Sequence, residues 1–422
     1  NWWLFDACVF GGRPKGCYSQ LSLKTEWLMT HQRGTVLPRR SRFRFSRRDF
    51  LATGLAAVVA PSVPLVGQPR QTPRFSGPPF SLGVASGDPS PDGVVLWTRL
   101  APVPLEGGGM PDEMVEVHWE VARDERMTET VQRGTVVATP EHGHSVHVEV
   151  SGLDADRWYW YRFRSGAEAS RVGRTRTLPL SGTPVRRLNM AFVSCQHYET
   201  GYFTAYRHML NDDLDVVFHL GDYIYEYEGR DGRARKHTGD EIELLSDYRN
   251  RYALYRLDPD LQAAHARFPF VVTWDDHEVD NNYAADMSEE QGLASELFLR
   301  RRAEAYQAYF EHMPLRGVSR PTGPRMQLYR GFDYGDLAAF FVLDTRQYRT
   351  DQPCGDRSGP TCAGVLDAQA TLLGEEQERW LLAGLDRSAA RWNVLPQQVM
   401  MARVDRAPGS EERISMDQWS GY

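Results

Sequence analysis

Four short apolar runs in the second half of this chain, each breaking off into a polar cluster, constrain its fold more than any other feature. Residues 188–193, 215–220, 271–274 and 338–343 draw mainly on Val, Phe, Ala and Leu. They lead directly into Ser194-Cys195-Gln196-His197, Gly221-Asp222-Tyr223, Asp275-Asp276-His277-Glu278 and Asp344-Thr345-Arg346-Gln347. Brief continuous apolar runs bounded by polar turns are typical of strands buried on both faces. Helical stretches are expected around them at 202–211, 247–257, 295–310 and 375–385. Strands alternating with helices predict an α/β layered domain, and such domains gather their sites where strand tips leave the sheet.

The first half has a different period. Residues 94–98, 115–121, 145–150 and 158–163 alternate as strands do, with Gly, Pro and Asp turns between them and no amphipathic helix interrupting. This predicts a small β-sandwich of the fibronectin or immunoglobulin kind over 75–178, a packing or presenting module without a catalytic cluster of its own. A Pro/Gly-rich linker at 69–79 leads into it, and a turn-rich stretch at 179–184 separates it from the α/β domain at 187–422. At 422 residues the chain is long enough for two or three domains, and 11 Trp and 19 Tyr can fill more than one core.

Ahead of the linker, residues 39–70 read as an export signal. Ser46-Arg47-Arg48-Asp49-Phe50-Leu51 matches the twin-arginine consensus, and a moderately apolar run follows to about Val66. That run is too short, and too rich in Ala and Gly, for a membrane span. Residues 1–38 do not fit a leader and are read as a non-native extension, with Met29 a candidate start. A periplasmic or secreted location follows, with the twin-arginine export machinery as a partner. Export leaves Cys195, Cys354 and Cys362. The last two flank a short polar stretch and could close a disulfide in an oxidising compartment. Cys195 is then the odd one out, either buried and inert or held by something such as a metal.

Adjacent strands would bring the four polar tips together into one group of oxygen, nitrogen, sulfur and phenol donors. So many acids at one edge repel each other unless a multivalent cation neutralises them. Two metals sharing a bridging carboxylate can bind an ester phosphate and activate a water against it. Asp222, following a Gly that lets the backbone turn tightly, suits the bridging place, and Asp276 is a second ligand on the neighbouring tip. His277 could protonate a leaving alkoxide or stabilise charge on the phosphoryl oxygens. Arg346 offers its fork to phosphate, or pairs with a neighbouring acid.

Taken singly, each motif has a plainer explanation. Gly221-Asp222 makes a simple turn, Asp275 or Asp276 caps a helix, and Cys195 is a small buried hydrophobe. His219 is a core histidine, and Tyr223 and Tyr225 pack. Four successive tips that are polar in the same way favour the site. The net charge of −7 argues against a protein built to hold nucleic acid. Small anionic substrates stay open, because bound metal reverses the local field.

The ordered combination resembles a known family. Ser194-Cys195-Gln196 with Gly201-Tyr202-Phe203, His219-Leu-Gly-Asp-Tyr-Ile-Tyr-Glu226, Trp274-Asp-Asp-His-Glu-Val279 with Asn281-Asn282, and Asp344-Thr-Arg-Gln-Tyr-Arg349 are similar to the alkaline phosphatase D family of the calcineurin-like metallophosphoesterases. Phe80-Ser-Leu-Gly-Val-Ala-Ser-Gly-Asp-Pro89 and Val95-Leu-Trp-Thr-Arg99 resemble that family's sandwich domain. The resemblance implies an N-terminal fibronectin/immunoglobulin-like sandwich followed by a four-layer α/β/β/α metallophosphoesterase domain, with an iron(III) centre and calcium. It implies that Cys195 ligates iron as thiolate, Asp222 bridges the metals and Tyr225 gives iron a phenolate. Asp276 takes the usual Asn place of an Asn-His motif, Asn281 helps bind calcium, and His277 faces the phosphate. The family's last metal-binding histidines, in a Gly-Asp-x-His segment, would fall downstream of Tyr422, so the domain is expected to be incomplete at its C-terminus.

The favoured reading is therefore an exported alkaline phosphatase or phosphodiesterase, a monomer acting on small phosphate esters through a metal-activated hydroxide. The alternative is an exported degenerate binding protein, without catalysis because the last ligands are missing. A third is a cysteine hydrolase with Cys195 as nucleophile and His197 or His277 as base.

Overall fold

The structure, a computed structural model, describes residues 74–422. The export signal read at 39–70 and the extension at 1–38 lie outside the described residues.

The first half folds as two facing sheets. It contributes β1 (Val84–Ser90), β2 (Gly93–Arg99), β3 (Val115–Ala122), β4 (Thr130–Ala138), β5 (Ser145–Val150), β6 (Trp158–Ser165), β7 (Glu168–Ala169) and β8 (Gly173–Arg176). One sheet contains β5, β2 and β1 in that order; the other contains β4, β3 and β6, with β7 and β8 both pairing to β6. Alternate residues meet between them: Val94, Leu96, Val146 and Val148 pack against Val117, Val121, Tyr159, Tyr161 and Phe163. This period-two burial is what the alternating sequence specifies.

The sheet that holds β1 continues into the second half. Strands β9 (Met190–Val193), β10 (Val216–His219) and β11 (Pro269–Val272) are parallel neighbours, and β1 pairs in parallel with β11. One six-stranded sheet results, in the order β5-β2-β1-β11-β10-β9. Gly87 permits the junction: a Cβ there would lie 2.5 Å from the Phe270 carbonyl oxygen and 2.6 Å from that of Pro314. The sandwich thus shares its first sheet with the α/β part.

A second small sheet lies against this one. β12 (Arg330–Tyr334) and β13 (Ala338–Val342) are antiparallel; beyond β14 (Ser358–Gly359), β15 (Trp392–Val394) runs parallel to β13, and β16 (Ile414–Ser415) pairs with β14. Alternation along the strands builds four layers. Val217, Phe270 and Val272 face a core filled by the helices Leu245–Arg256, Pro259–Arg267 and Ser295–His312. Val216, Phe218 and Val271 face the other way, onto Ala338, Phe340 and Val342 of β13. Ala339, Phe341 and Leu343 then meet Leu381 of the helix Gly374–Arg387. The order is helix, sheet, sheet, helix, the α/β/β/α arrangement the family resemblance implies.

The four expected helices appear as Thr204–Met209, Leu245–Arg256, Ser295–His312 and Gly374–Arg387. The helix Pro259–Arg267 was not among them, though its start is written in the sequence. Asp258 accepts from the Asp260 and Leu261 N–H groups as N-cap, and Pro259 occupies the first turn. Among the described residues, no helix is long and apolar enough to cross a membrane.

Polar contacts join the two halves. Trp97 Nε1 donates to the Glu311 carbonyl at 2.9 Å. His147 Nε2 lies 2.9 Å from the carbonyls of both Phe310 and Met313, with its ring stacked on Phe310 at 4.5 Å. Burial outweighs those carbonyl contacts and holds His147 down to about 4. The unfolded chain, with an ordinary histidine near 6.5, takes up this proton first. Stability contributed by neutral His147 is thus present above pH 6.5 and is lost as pH falls towards 4. Going from pH 7 to pH 5, this one group should lower unfolding free energy by about 1–2 kcal/mol. Urea unfolding at the two pH values checks this, with the loss expected to be smaller in His147→Gln.

Candidate metal centre

Because β9, β10 and β11 are parallel, their C-terminal tips emerge on one side. The chain turns sharply at two of them. Cys195 (φ 54°) and Asp222 (φ 55°) both adopt the left-handed conformation, which costs a non-glycine residue about 1–2 kcal/mol. Such strain persists where the surroundings hold it. Here the Cys195 N–H donates to the Gly221 carbonyl and the Gln196 N–H to that of Asp222, each at 3.1 Å. Gly221 (φ 108°) passes so close to the next tip that a Cβ would lie 2.3 Å from the Asp275 nitrogen. The Gly-Asp pair is therefore a close crossing as well as a turn.

The turns bring three candidate ligands together. Donor atoms of Asp222, Asp276 and His277, all buried, lie within 4.8 Å of one another. Tyr225 Oη donates to Asp222 Oδ2 at 2.8 Å, and its ring stands 4.1 Å from that of His277. Cys195 is the free cysteine of the described residues, solvent-exposed as a residue. Its sulfur nevertheless feels the Asp222 carboxylate, and burial together with that charge pushes the thiol well up. Asp222, Asp276 and His277 form the group, with Tyr225 bonded to Asp222 and Cys195 beside that carboxylate.

Two glutamates that the sequence reading leaves without a role hold this group in shape. Glu278, 1% exposed, accepts from the N–H groups of Tyr223 (2.6 Å), Asp275 (2.9 Å) and Asp222 (3.2 Å), clamping the two tips together. Glu226 accepts from His277 Nδ1 at 2.7 Å and from the Asn281 N–H at 2.9 Å. Each stands inside a motif adjacent to a ligand, and that adjacency was the available signal.

The electrostatics are those of a site short of positive charge. Burial and repulsion from Asp276 push Asp222 well above the carboxylate range. Burial pushes Glu278 up to about 8, and pushes Asp275 up to about 7 against the pull of Arg346. Burial also opposes charge on His277, but the carboxylates of Asp276 and Glu226 outweigh it and push the imidazole up to about 11. Asp222 Oδ1 is buried with no hydrogen-bond partner. A cation fits this donor set: it would satisfy that oxygen and offset the clustered acids.

Two expected site residues stand differently. Arg346, 1% exposed, is fully committed to carboxylates. Its Nε donates to Asp275 at 2.6 Å, Nη1 and Nη2 grip Asp417 at 2.6 and 2.7 Å, and Nη2 lies 3.6 Å from Asp276. The geometry takes up its fork in ion pairs within the protein. Asn281 directs its amide N–H to Glu289. Asn282 instead donates its backbone N–H to Asp276 Oδ2 at 2.7 Å. The Asp275–Asp276 segment forms a turn in place of a helix start.

Comparison with known proteins adds a lineage to the geometry. A sequence profile of PhoD-like phosphatases matches residues 190–422, and one of the PhoD-like phosphatase N-terminal domain matches residues 67–179. Alkaline phosphatase D of Bacillus subtilis (strain 168) is 53% identical over 390 residues, spanning 90% of this chain and 67% of that protein. A solved structure of PhoD superposes with a TM-score of 0.81 at 56% identity, covering 83% of this chain and 68% of that one.

Proposed function

Since the chain belongs to the PhoD-like phosphatase family, we propose that it is an exported phosphatase whose Asp222 and Asp276 carboxylates, beside His277, hold the cations that hydrolysis of a phosphate ester requires. The observation that carries this reading is the buried, unpartnered Asp222 Oδ1 among acids that repel one another. By family resemblance the cations are iron(III) and calcium. Cys195, Asp222 and Tyr225 would hold iron, and Asp222, Asp276 and Asn281 calcium. When bound, such ions supply Lewis acidity towards phosphoryl oxygens and lower the pKa of an attacking water.

The chain's own residues do the rest. Glu226 accepts a hydrogen bond from His277 Nδ1, which leaves Nε2 for the ester. From that nitrogen His277 can pass a proton to the leaving alkoxide. Arg346 touches no substrate in this reading and orients Asp275 and Asp276. Export is supported by the twin-arginine sequence at 46–51 and by the Cys354–Cys362 disulfide, which suits an oxidising compartment. A cysteine hydrolase is disfavoured because the Cys195 thiol is pushed up, opposite to the activation a nucleophile needs.

The test is hydrolysis of p-nitrophenyl phosphate by protein loaded with iron and calcium salts. Exhaustive chelation should lower the rate on the order of 10³-fold, reversibly. A rate that survives complete metal removal excludes the reading. Cys195→Ser should lower bound iron, whereas a cysteine nucleophile would leave metal content intact and abolish turnover.

A further inference from the structure

We propose that the disulfide-closed loop from Cys354 to Cys362 is a positioning element for the cation site, acting through Asp356 and Asn282 on Asp276. The inference rests on the metal-centre reading and assigns a role to residues outside the ligand set.

The chain of contacts is short. Asn282 Nδ2 donates to Asp356 Oδ2 at 2.7 Å, and the Asn282 backbone N–H donates to Asp276 Oδ2 at 2.7 Å. Gln352 Nε2 donates to the Asn282 carbonyl at 2.6 Å and to Asp417 Oδ1 at 2.9 Å. Asn282 is in the left-handed conformation (φ 50°), which Asn tolerates, and contacts to both its side chain and its carbonyl fix the aim of its N–H at Asp276. Those two anchors come from Asp356 and Gln352.

The loop that carries Asp356 has no core of its own. None of residues 354–362 is buried, and Cys354, Gly355 and Asp356 all have positive φ. Apolar burial therefore cannot fix Asp356. The loop is fixed by the Cys354–Cys362 bond, which joins residues eight positions apart in sequence, and by the pairing of β14 with β16. The bond narrows the conformations open to Asp356. Outer hydrogen-bond partners of metal ligands typically carry 10–100-fold of metal affinity; Asn282 stands in that relation to Asp276, and Asp356 acts one contact further out, through Asn282.

The test is calorimetric titration of the whole protein with calcium chloride alone, comparing wild type, Asp356→Ala, Asp356→Asn and the Cys354→Ser/Cys362→Ser double variant, with a thermal melt of each. Asp356→Ala and the double variant should each bind calcium about 10-fold more weakly. Asp356→Asn, whose amide oxygen still accepts from Asn282, should stay within about 2-fold of wild type. The rescue by Asn separates positioning from a general loss of fold, and the melts of Asp356→Ala and Asp356→Asn should coincide. Unchanged affinity in Asp356→Ala overturns the inference, and so does an Asp356→Asn loss equal to that of Ala. If wild type itself binds no calcium or iron, the metal-centre reading falls, a result distinct from either.

Discussion

Replacing Asp222 with Asn should abolish cation binding and phosphate-ester hydrolysis together while leaving the metal-free protein as stable as before or slightly more so. The change keeps the size of the side chain and an oxygen able to accept from Tyr225 Oη, now 2.8 Å away. It removes a negative charge that burial and Asp276 already disfavour. In the absence of metal that charge opposes folding, so its loss relieves repulsion. On the metal-centre reading that charge would help hold the ions, so turnover should fall on the order of 10³-fold. Metal content by plasma emission, initial rates and thermal melts of the chelated protein give the three readouts. A residue important only for packing would instead lower the melting temperature of the chelated protein.

Removing Arg346 should have the largest effect on folding. Its guanidinium is the shared partner of Asp275 and Asp417, both within hydrogen-bond distance, and lies near Asp276. Arg349 reaches Asp417 as well, at 2.6 Å, but no other cation is bonded to Asp275 among the described residues. Arg346→Met leaves buried carboxylates without their counter-charge, and breaking a buried pair in this way costs about 3–5 kcal/mol. Arg346→Lys should recover only part, because a single ammonium cannot grip Asp417 through two nitrogens and reach Asp275 as well. Urea unfolding of the three proteins checks the order. Equal stability of wild type and Arg346→Met would show that Arg346 is not the structural hub described, and would reopen a role in binding phosphate.

What could be read from the sequence was largely local. The runs at 215–220 and 271–274 are strands because they are mainly apolar, and Asp222 and Asp276 follow them because polar residues must leave a buried sheet at its end. The alternation at 94–98 and 145–150 places Val94, Leu96, Val146 and Val148 on one face. Contacts between residues distant in sequence were not legible. β1 contains Ser-Gly-Asp-Pro-Ser, which neither alternates nor runs apolar, and it is a strand because β2 and β11 flank it on both sides. The partner of Arg346 is Asp417, far along the chain, so the sequence shows a fork and not what fills it. The left-handed turn at Cys195 leaves no compositional mark, and those at Asp222 and Asn282 only the mild preference of Asp and Asn for that conformation. The clamps Glu226 and Glu278 were visible as residues, but only their geometry separates a buried acceptor from a surface acid.

The most direct test of the central claim is an anomalous-scattering map from crystals grown with iron and calcium salts, collected above the iron edge. The account predicts peaks about 2.0–2.6 Å from carboxylate oxygens of Asp222 and Asp276, with the iron peak next to Cys195 and Tyr225. No peak among these four side chains, in a preparation that hydrolyses p-nitrophenyl phosphate, would contradict it.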